Sequence, residues 1–189
     1  MITAMNVYDF DHTIYPGDST VDFWRYCLKR YPRVLLALPG ACLFGATFYL
    51  RLCSRERFKE TFYRFLLYVP DAQAAAEAFW ETRLEKIEPW YLAQRRDDDL
   101  VISASPEFLI RAACDRLNIP CLASKVDSDT GKLEGPNCRG EEKLRRFREA
   151  YPNEEIERFY SDSPSDAPLA REAAEAYLIK KGNVKRWET

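Results

Sequence analysis

The chain opens on a pattern that recurs. Ala4 to Tyr8 is short and mostly apolar and runs straight into Asp9 and Asp11. That predicts a buried strand ending at polar chemistry. Leu100-Val101-Ile102 repeats the arrangement, with serines following. Ile119 to Ala123, Ile156 to Ser161 and Ala176 to Ile179 predict further strands. Helical spacings lie between them. Ser105-Pro106 offers an N-cap and a first-turn proline ahead of Leu109, Ala113 and Leu117. Thr130-Gly131 reads as a turn, Gly140 to Ala150 as a helix with Leu144 and Phe147 inward, and Asp166 to Ala174 as another helix.

The stretch between the first two predicted strands differs. Ser19 to Asp22 resembles a capping box before Phe23 and Trp24. Phe58, Phe62, Phe65 and Val69 recur at helical spacing, Pro70-Asp71 interrupts, Ala76, Phe79, Leu84 and Ile87 resume, and Pro89 closes the block. Strands alternating with helices predict a Rossmann-like parallel α/β sheet with helices on both faces. The helical block is too long for an ordinary crossover and predicts an inserted α-helical cap. The expected division is an α/β catalytic core over 1–15 and 97–189, with the cap over 16–96.

Val34 to Leu50 carries no charged residue for 17 positions and lies between Arg33 and Arg51. It falls short of the roughly 20 apolar residues of a membrane span, and Pro39-Gly40 interrupts it. It reads first as a buried or hairpin-forming part of the cap, second as a surface that dips into the lipid interface, and third as a span. Tyr31, Phe44, Phe48 and Tyr49 suit either of the first two.

Composition narrows the class. With 47% hydrophobic and 31% charged residues the chain is expected to pack a core rather than remain disordered. A net charge of −2 gives no global pull toward nucleic acid or anionic membrane, though it does not exclude a local basic pocket. Six cysteines without a C-x-x-C pair, and a single histidine, argue against a zinc site. Reduced, buried thiols in a cytoplasmic protein are the expectation. The immediate apolar strand shows no cleavable signal peptide.

Polar clusters follow three predicted strands: Asp9 to Thr13, Ser103 to Ser105, and Ser161 to Asp166. Carboxyl ends of parallel strands share one crevice, so these clusters are expected to converge, with Lys143 in the first turn of a helix as a fourth contributor. The set suits phosphoryl transfer. One of two aspartates spaced by a residue can attack phosphorus while the other handles the proton of the leaving oxygen. A hydroxyl and an ammonium can hold phosphate oxygens. A further carboxylate can share a hard cation such as magnesium.

Asp9-x-Asp11-x-Thr13, Ser103 after an apolar strand, Lys143, and Asp162-x-x-x-Asp166 stand in the order of the four motifs of the haloacid dehalogenase superfamily, which the chain resembles over nearly its whole length. Gly135 to Lys143 is similar to the branch containing phosphoserine phosphatase and a bacterial phosphatidylglycerophosphate phosphatase, whose members carry a helical cap between the first and second motifs. The resemblance implies a phosphoric monoester hydrolase. Asp9 would be nucleophile and Mg2+ ligand, and Asp11 general acid/base with its backbone carbonyl on the metal. Ser103 and Lys143 would bind phosphate, Asp162 would complete the metal ligands, and Thr13 and Asp166 would support the site. His12 departs from a position where glycine is common. Ser163 and Pro164 depart from a glycine-rich loop. Asp11 itself speaks against a dehalogenase, because a halide leaves without a proton. Transfer to an acceptor other than water stays open.

The expected partner is a phosphorylated small molecule or a lipid phosphate, with possible peripheral membrane contact through 34–50. The alternatives are a membrane-associated lipid phosphate phosphatase and a non-catalytic protein that binds a phosphorylated ligand.

Overall fold

The computed structural model describes residues 4–52 and 54–188, with the backbone alone for residues 46–48. Cys53 and the Phe48 ring, both part of the sequence reading, lie outside the described residues. One six-stranded sheet organises the molecule: β1 (Ala4–Tyr8), β2 (Leu100–Pro106), β3 (Cys121–Ser124), β4 (Glu155–Ser161), β5 (Ala173–Lys180) and β6 (Asn183–Arg186), in the order β3-β2-β1-β4-β5-β6. β1 to β5 pair in parallel, and β6 adds an antiparallel edge. The sequence reading missed β6, a short, wholly exposed strand without an apolar face to announce it.

Eight α-helices complete the described fold: α1 (Ser19–Arg30), α2 (Leu38–Tyr49), α3 (Arg55–Tyr63), α4 (Ala72–Glu81), α5 (Pro89–Gln94), α6 (Glu107–Leu117), α7 (Glu141–Ala150) and α8 (Ala167–Glu172). The first five lie between β1 and β2. Strand alternation splits the apolar interior in two. Met5, Val7, Leu100, Ile102 and Phe159 face one side of the sheet with Phe147 and Leu169. Tyr8, Val101 and Tyr160 face the other, and that cluster runs on without a break into Phe23, Phe79 and Trp80 of the inserted helices. Trp80 Nε1 donates to the Leu109 carbonyl at 2.7 Å, which fixes α4 to α6.

Several boundaries correct the sequence reading. The α1 N-cap is Asp18, whose carboxylate accepts from Val21 N, rather than Ser19. Pro89 opens α5 instead of closing the block. β2 continues through Pro106, so Ser105 lies within a strand and caps no helix. Residues 173 and 174 belong to β5. Pro39 sits in the first turn of α2, where its missing N–H costs nothing. The 34–50 segment is a 3-10 turn (Pro32–Ala37) followed by α2, and much of it is exposed rather than buried. Among the described residues no helix is long and apolar enough to cross a membrane. Cys27, Cys114, Cys121 and Cys138 are free and buried as expected, whereas Cys42 is exposed.

Candidate active site

β1 is the switch point of the sheet, with β2 on one side and β4 on the other. The crevice beyond such a point is where open parallel sheets bind ligands. A cavity of about 310 Å3 opens there. Its floor is Asp9, Asp11, Lys143, Asp162 and Asp166, and its opposite wall is Arg55, Phe58, Lys59 and Phe62 of α3. Five sequence-predicted residues therefore converge.

The floor is an ion-pair network. Lys143 projects from the first turn of α7, is 1% exposed, and places Nζ 2.8 Å from Asp9 Oδ1 and 2.7 Å from Asp166 Oδ2. Gly140 starts that helix at φ +58°, a conformation other residues enter only with strain. Its N–H points at Asp166 Oδ1, 3.4 Å away. Ser161 Oγ donates to Asp166 Oδ2 at 2.9 Å. Asp9 Oδ1 also accepts from Phe10 N at 2.8 Å, whereas Oδ2 has only Ser161 Oγ at 3.5 Å. Burial raises Asp9 above the ordinary carboxylate value, and the Lys143 charge opposes it. Burial pulls Lys143 down, but Asp9 and Asp166 outweigh it and hold the ammonium protonated.

Asp11 is held separately. Ser19 N donates to Oδ1 at 2.7 Å, and the Ser105 hydroxyl donates to Oδ2. Thr20 Oγ1 donates in turn to Ser105 Oγ at 3.0 Å. Burial raises Asp11, the Asp18 charge adds to that, and the serine hydrogen bonds oppose it. Thr13 is buried, and its Oγ1 accepts from Asp162 N at 3.1 Å, joining the loops that follow β1 and β4. His12 has φ +55°, which accounts for glycine's frequency in this position of the motif.

Ser103 is fully buried and is not among the residues that line the cavity; its Oγ accepts from Ser105 N at 3.1 Å. The register of β2 shifts after Ser103, and the bulge brings Ser105 to the cavity. The sequence reading also missed Lys59, which bridges cap and core by donating to the Ala104 carbonyl and to Asn137 Oδ1, each at 2.8 Å. Arg139 lines the cavity beside Arg55. Arg55, Lys59 and Phe62 recur at helical spacing, and that face of α3 was the available signal.

A metal has open donors here. Asp9 Oδ2 is weakly engaged, and the Asp162 carboxylate lines the same cavity without a hydrogen bond from another described residue. Among the described residues no group of three His, Cys, Asp or Glu side chains could hold an ion alone. Backbone, water or substrate oxygens would have to complete the shell, as magnesium prefers.

A family model described as haloacid dehalogenase-like hydrolase matches residues 7–171. The chain belongs to that family. No curated protein sequence matches this hydrolase. Solved structures share its fold. A Bordetella pertussis Tohama I protein of unknown function aligns with TM-score 0.73 at 17% identity, over 93% of this chain and 89% of that one. A phosphoserine phosphohydrolase-like protein from Francisella tularensis gives 0.54 at 16%, over 92% and 86%. Cytosolic 5'-nucleotidase IIIB bound to cytidine gives 0.59 at 13%, over 89% and 68%. At these identities the likeness concerns the fold. In the family hydrolase, as in the sequence motifs, the matched span runs from the end of β1 through α8 and includes each residue of the cavity floor.

Proposed function

We propose that this hydrolase is a magnesium-dependent phosphatase that cleaves a phosphate monoester by way of an aspartyl-phosphate on Asp9. The observation that carries the reading is the pair of carboxylates, Asp9 and Asp11, that face one cavity but are held by different partners, Lys143 for one and Ser19 with Ser105 for the other. Two carboxylates in distinct environments can divide nucleophilic and acid–base roles.

An Asp9 oxygen forms the new bond to phosphorus as the bond to the leaving oxygen breaks, and the Asp11 carboxyl gives its proton to that oxygen. Water then attacks the acyl-phosphate, Asp11 takes the water's proton, and Asp9 leaves as carboxylate with inorganic phosphate. Burial favours the protonated Asp11 needed in the first step. Lys143 aligns Asp9 and offsets charge on the transferring group. Ser103 holds the loop through Ser105 N, and Ser105 presents the hydroxyl on the cavity side. Magnesium, held by Asp9, Asp162 and the Asp11 backbone carbonyl, would neutralise phosphate charge.

The helices of residues 16–96 act as the cap, with α3 selecting the substrate. Arg55 and Arg139 favour a leaving group with its own anionic group, and Phe58 and Phe62 favour an apolar portion. A phosphorylated small molecule is the first substrate class. A lipid phosphate is the second, favoured by the exposed apolar side chains of the cap beside that wall.

A panel of phosphate monoesters in excess magnesium tests the reading. Wild type is expected to release phosphate and to show acid-stable labelled phosphate on the protein after a rapid quench. Asp9→Asn is expected to lose at least about 1,000-fold in turnover, near 4 kcal/mol of barrier. Wild-type turnover in that variant excludes Asp9 as the nucleophile. Tight binding of phosphate esters by the wild type without turnover would instead support the non-catalytic alternative.

A further inference from the structure

Apolar exposure is concentrated in one place on this protein. Leu36, Leu43, Tyr49, Leu50 and Leu52 are 63–87% exposed, and Leu35 and Leu67 about half exposed beside them. Elsewhere among the described residues the large exposed apolar side chains are Leu92 and Val184 alone, far apart in sequence. Scattered apolar residues are normal on a surface, but a cluster of this kind marks an interaction site.

The sequence explains the exposure. α2 has no charged residue on any side, and a helix apolar all round needs cover all round. One side is covered. A Cβ on Gly45 would meet Phe58 at 3.6 Å, and one on Gly40 would meet Thr61 at 3.8 Å, so small residues let α2 lie close on α3. Leu43, Leu50 and Leu52 remain outside that contact.

Charge identifies the occupant. From Phe23 to Arg55 there is no Asp or Glu, while Arg25, Lys29, Arg30, Arg33, Arg51 and Arg55 are all cationic, in a chain of net charge −2. Lys29, Arg30, Arg33 and Arg51 are exposed at the two ends of the apolar tip. A second copy on this face would set one cationic collar against another. An anionic bilayer accepts both parts, the apolar tip at the acyl boundary and the collar among the phosphates. Tyr49, 87% exposed, ends α2, and an aromatic ring so placed suits the bilayer interface. With 12 residues α2 is roughly 18 Å long, too short to span.

We infer that the Pro32–Ala37 turn and α2 dock this protein on the surface of an anionic lipid bilayer. The geometry gives the docking a consequence. Phe58 touches the underside of α2 and also lines the catalytic cavity, and Arg55 at the start of α3 belongs to both the collar and the cavity wall. The bound protein therefore carries its cavity close to the headgroup layer.

The experiment is co-sedimentation of the full chain with vesicles of phosphatidylglycerol and phosphatidylcholine in equal parts, against vesicles of phosphatidylcholine alone. Binding is read without turnover, so failure here and failure of the phosphatase reading are distinguishable. Wild type is expected to sediment with the anionic vesicles and to be released as salt rises from about 0.1 M to about 0.5 M. Leu36→Ser/Leu43→Ser, and separately Arg33→Glu/Arg51→Glu, are each expected to weaken partitioning by about tenfold or more. Unchanged hydrolysis of a soluble phosphate ester confirms that these exposed variants remain folded. If hydrolysis is absent in all forms, an unchanged circular dichroism spectrum serves instead. The proposal is overturned if anionic vesicles do not bind at low salt, if neutral vesicles bind equally well, or if neither double variant weakens binding. It is also overturned if the face proves to be a homodimer interface, seen as lipid-free dimers that Leu36→Ser/Leu43→Ser dissociates.

Discussion

The floor of the cavity and its rim treat charge in opposite ways. On the floor, Lys143 is enclosed by Asp9 and Asp166, Asp166 is shared with Ser161, and Asp11 is fixed by Ser19 and Ser105. At the rim, the Arg139 guanidinium makes no hydrogen bond or ion pair among the described residues and lies close enough to Arg55 for its charge to disfavour that of Arg55. The Arg139 guanidinium, set beside a second cation at the cavity edge, is positioned for an anion from outside. On the proposed function, the floor supplies rigid geometry for chemistry and the rim supplies open valences for recognition.

The largest effect that would break this comparison belongs to Lys143. Replacing it by Met leaves two carboxylates facing each other in a buried site. The expected cost is about 3–5 kcal/mol, with a fall in Tm of roughly 6–20 °C and loss of turnover. Lys143→Met/Asp166→Asn should recover part of the stability, because it removes one of the unpaired charges. If the single variant melts like wild type, the floor is not the rigid network described.

A second effect separates the floor from the surface by pH. Asp9, lifted to about 7, together with Asp11 and Asp162, is raised by burial. A raised carboxyl means that the folded state binds more protons than the unfolded state above the ordinary value of about 4, so stability falls as pH rises. The surface carboxylate Glu142 is lowered to about 2 by Arg145 and Arg146, and its contribution has the opposite sign. That contribution is complete above the ordinary glutamate value, so it is flat in the same window. In chelator, Tm is expected to decline from about pH 5 to about pH 7, and magnesium to reverse the decline at the upper end. Asp9→Asn should flatten the slope. A rising or level wild-type profile in chelator would contradict the assignment.

The floor was legible in sequence because its aspartates lie in polar clusters that follow apolar runs, and because those clusters and Lys143 stand in the order of the family motifs. Asp9 follows β1, Asp162 follows β4, and Lys143 sits in the first turn of a helix whose Phe147 marks the inward face. The parallel order then brings those ends together. What was not legible depends on local departures from periodicity. Simple alternation gives no reason to choose Ser105 over Ser103 for the cavity; the bulge at the end of β2 decides it. Gly131, read only as a turn, presses so close to the cap that a Cβ there would lie 2.4 Å from the Tyr63 carbonyl oxygen, a long-range approach that no local pattern encodes. The 34–50 segment reads first as a buried or hairpin-forming part of the cap and second as an interfacial surface. In the described fold Leu35, Leu36, Leu43, Tyr49 and Leu50 are exposed, which a run of apolar residues alone does not decide.

The smallest effect tests the rim. Arg139→Ala removes a side chain without a protein partner, so Tm is expected to stay within about 2 °C of wild type. The lost charge should raise KM about tenfold, near 1.4 kcal/mol, for substrates whose leaving group carries a second anionic group. It should leave kcat nearly unchanged, because Arg139 is proposed to bind the part of the substrate that does not react. Esters with neutral leaving groups should show no such penalty. A loss confined to kcat would move Arg139 from recognition into the chemistry. An equal rise in KM for charged and neutral esters would mean that its charge acts on the phosphate itself, and the division between a catalytic floor and a recognising rim would fail at this residue.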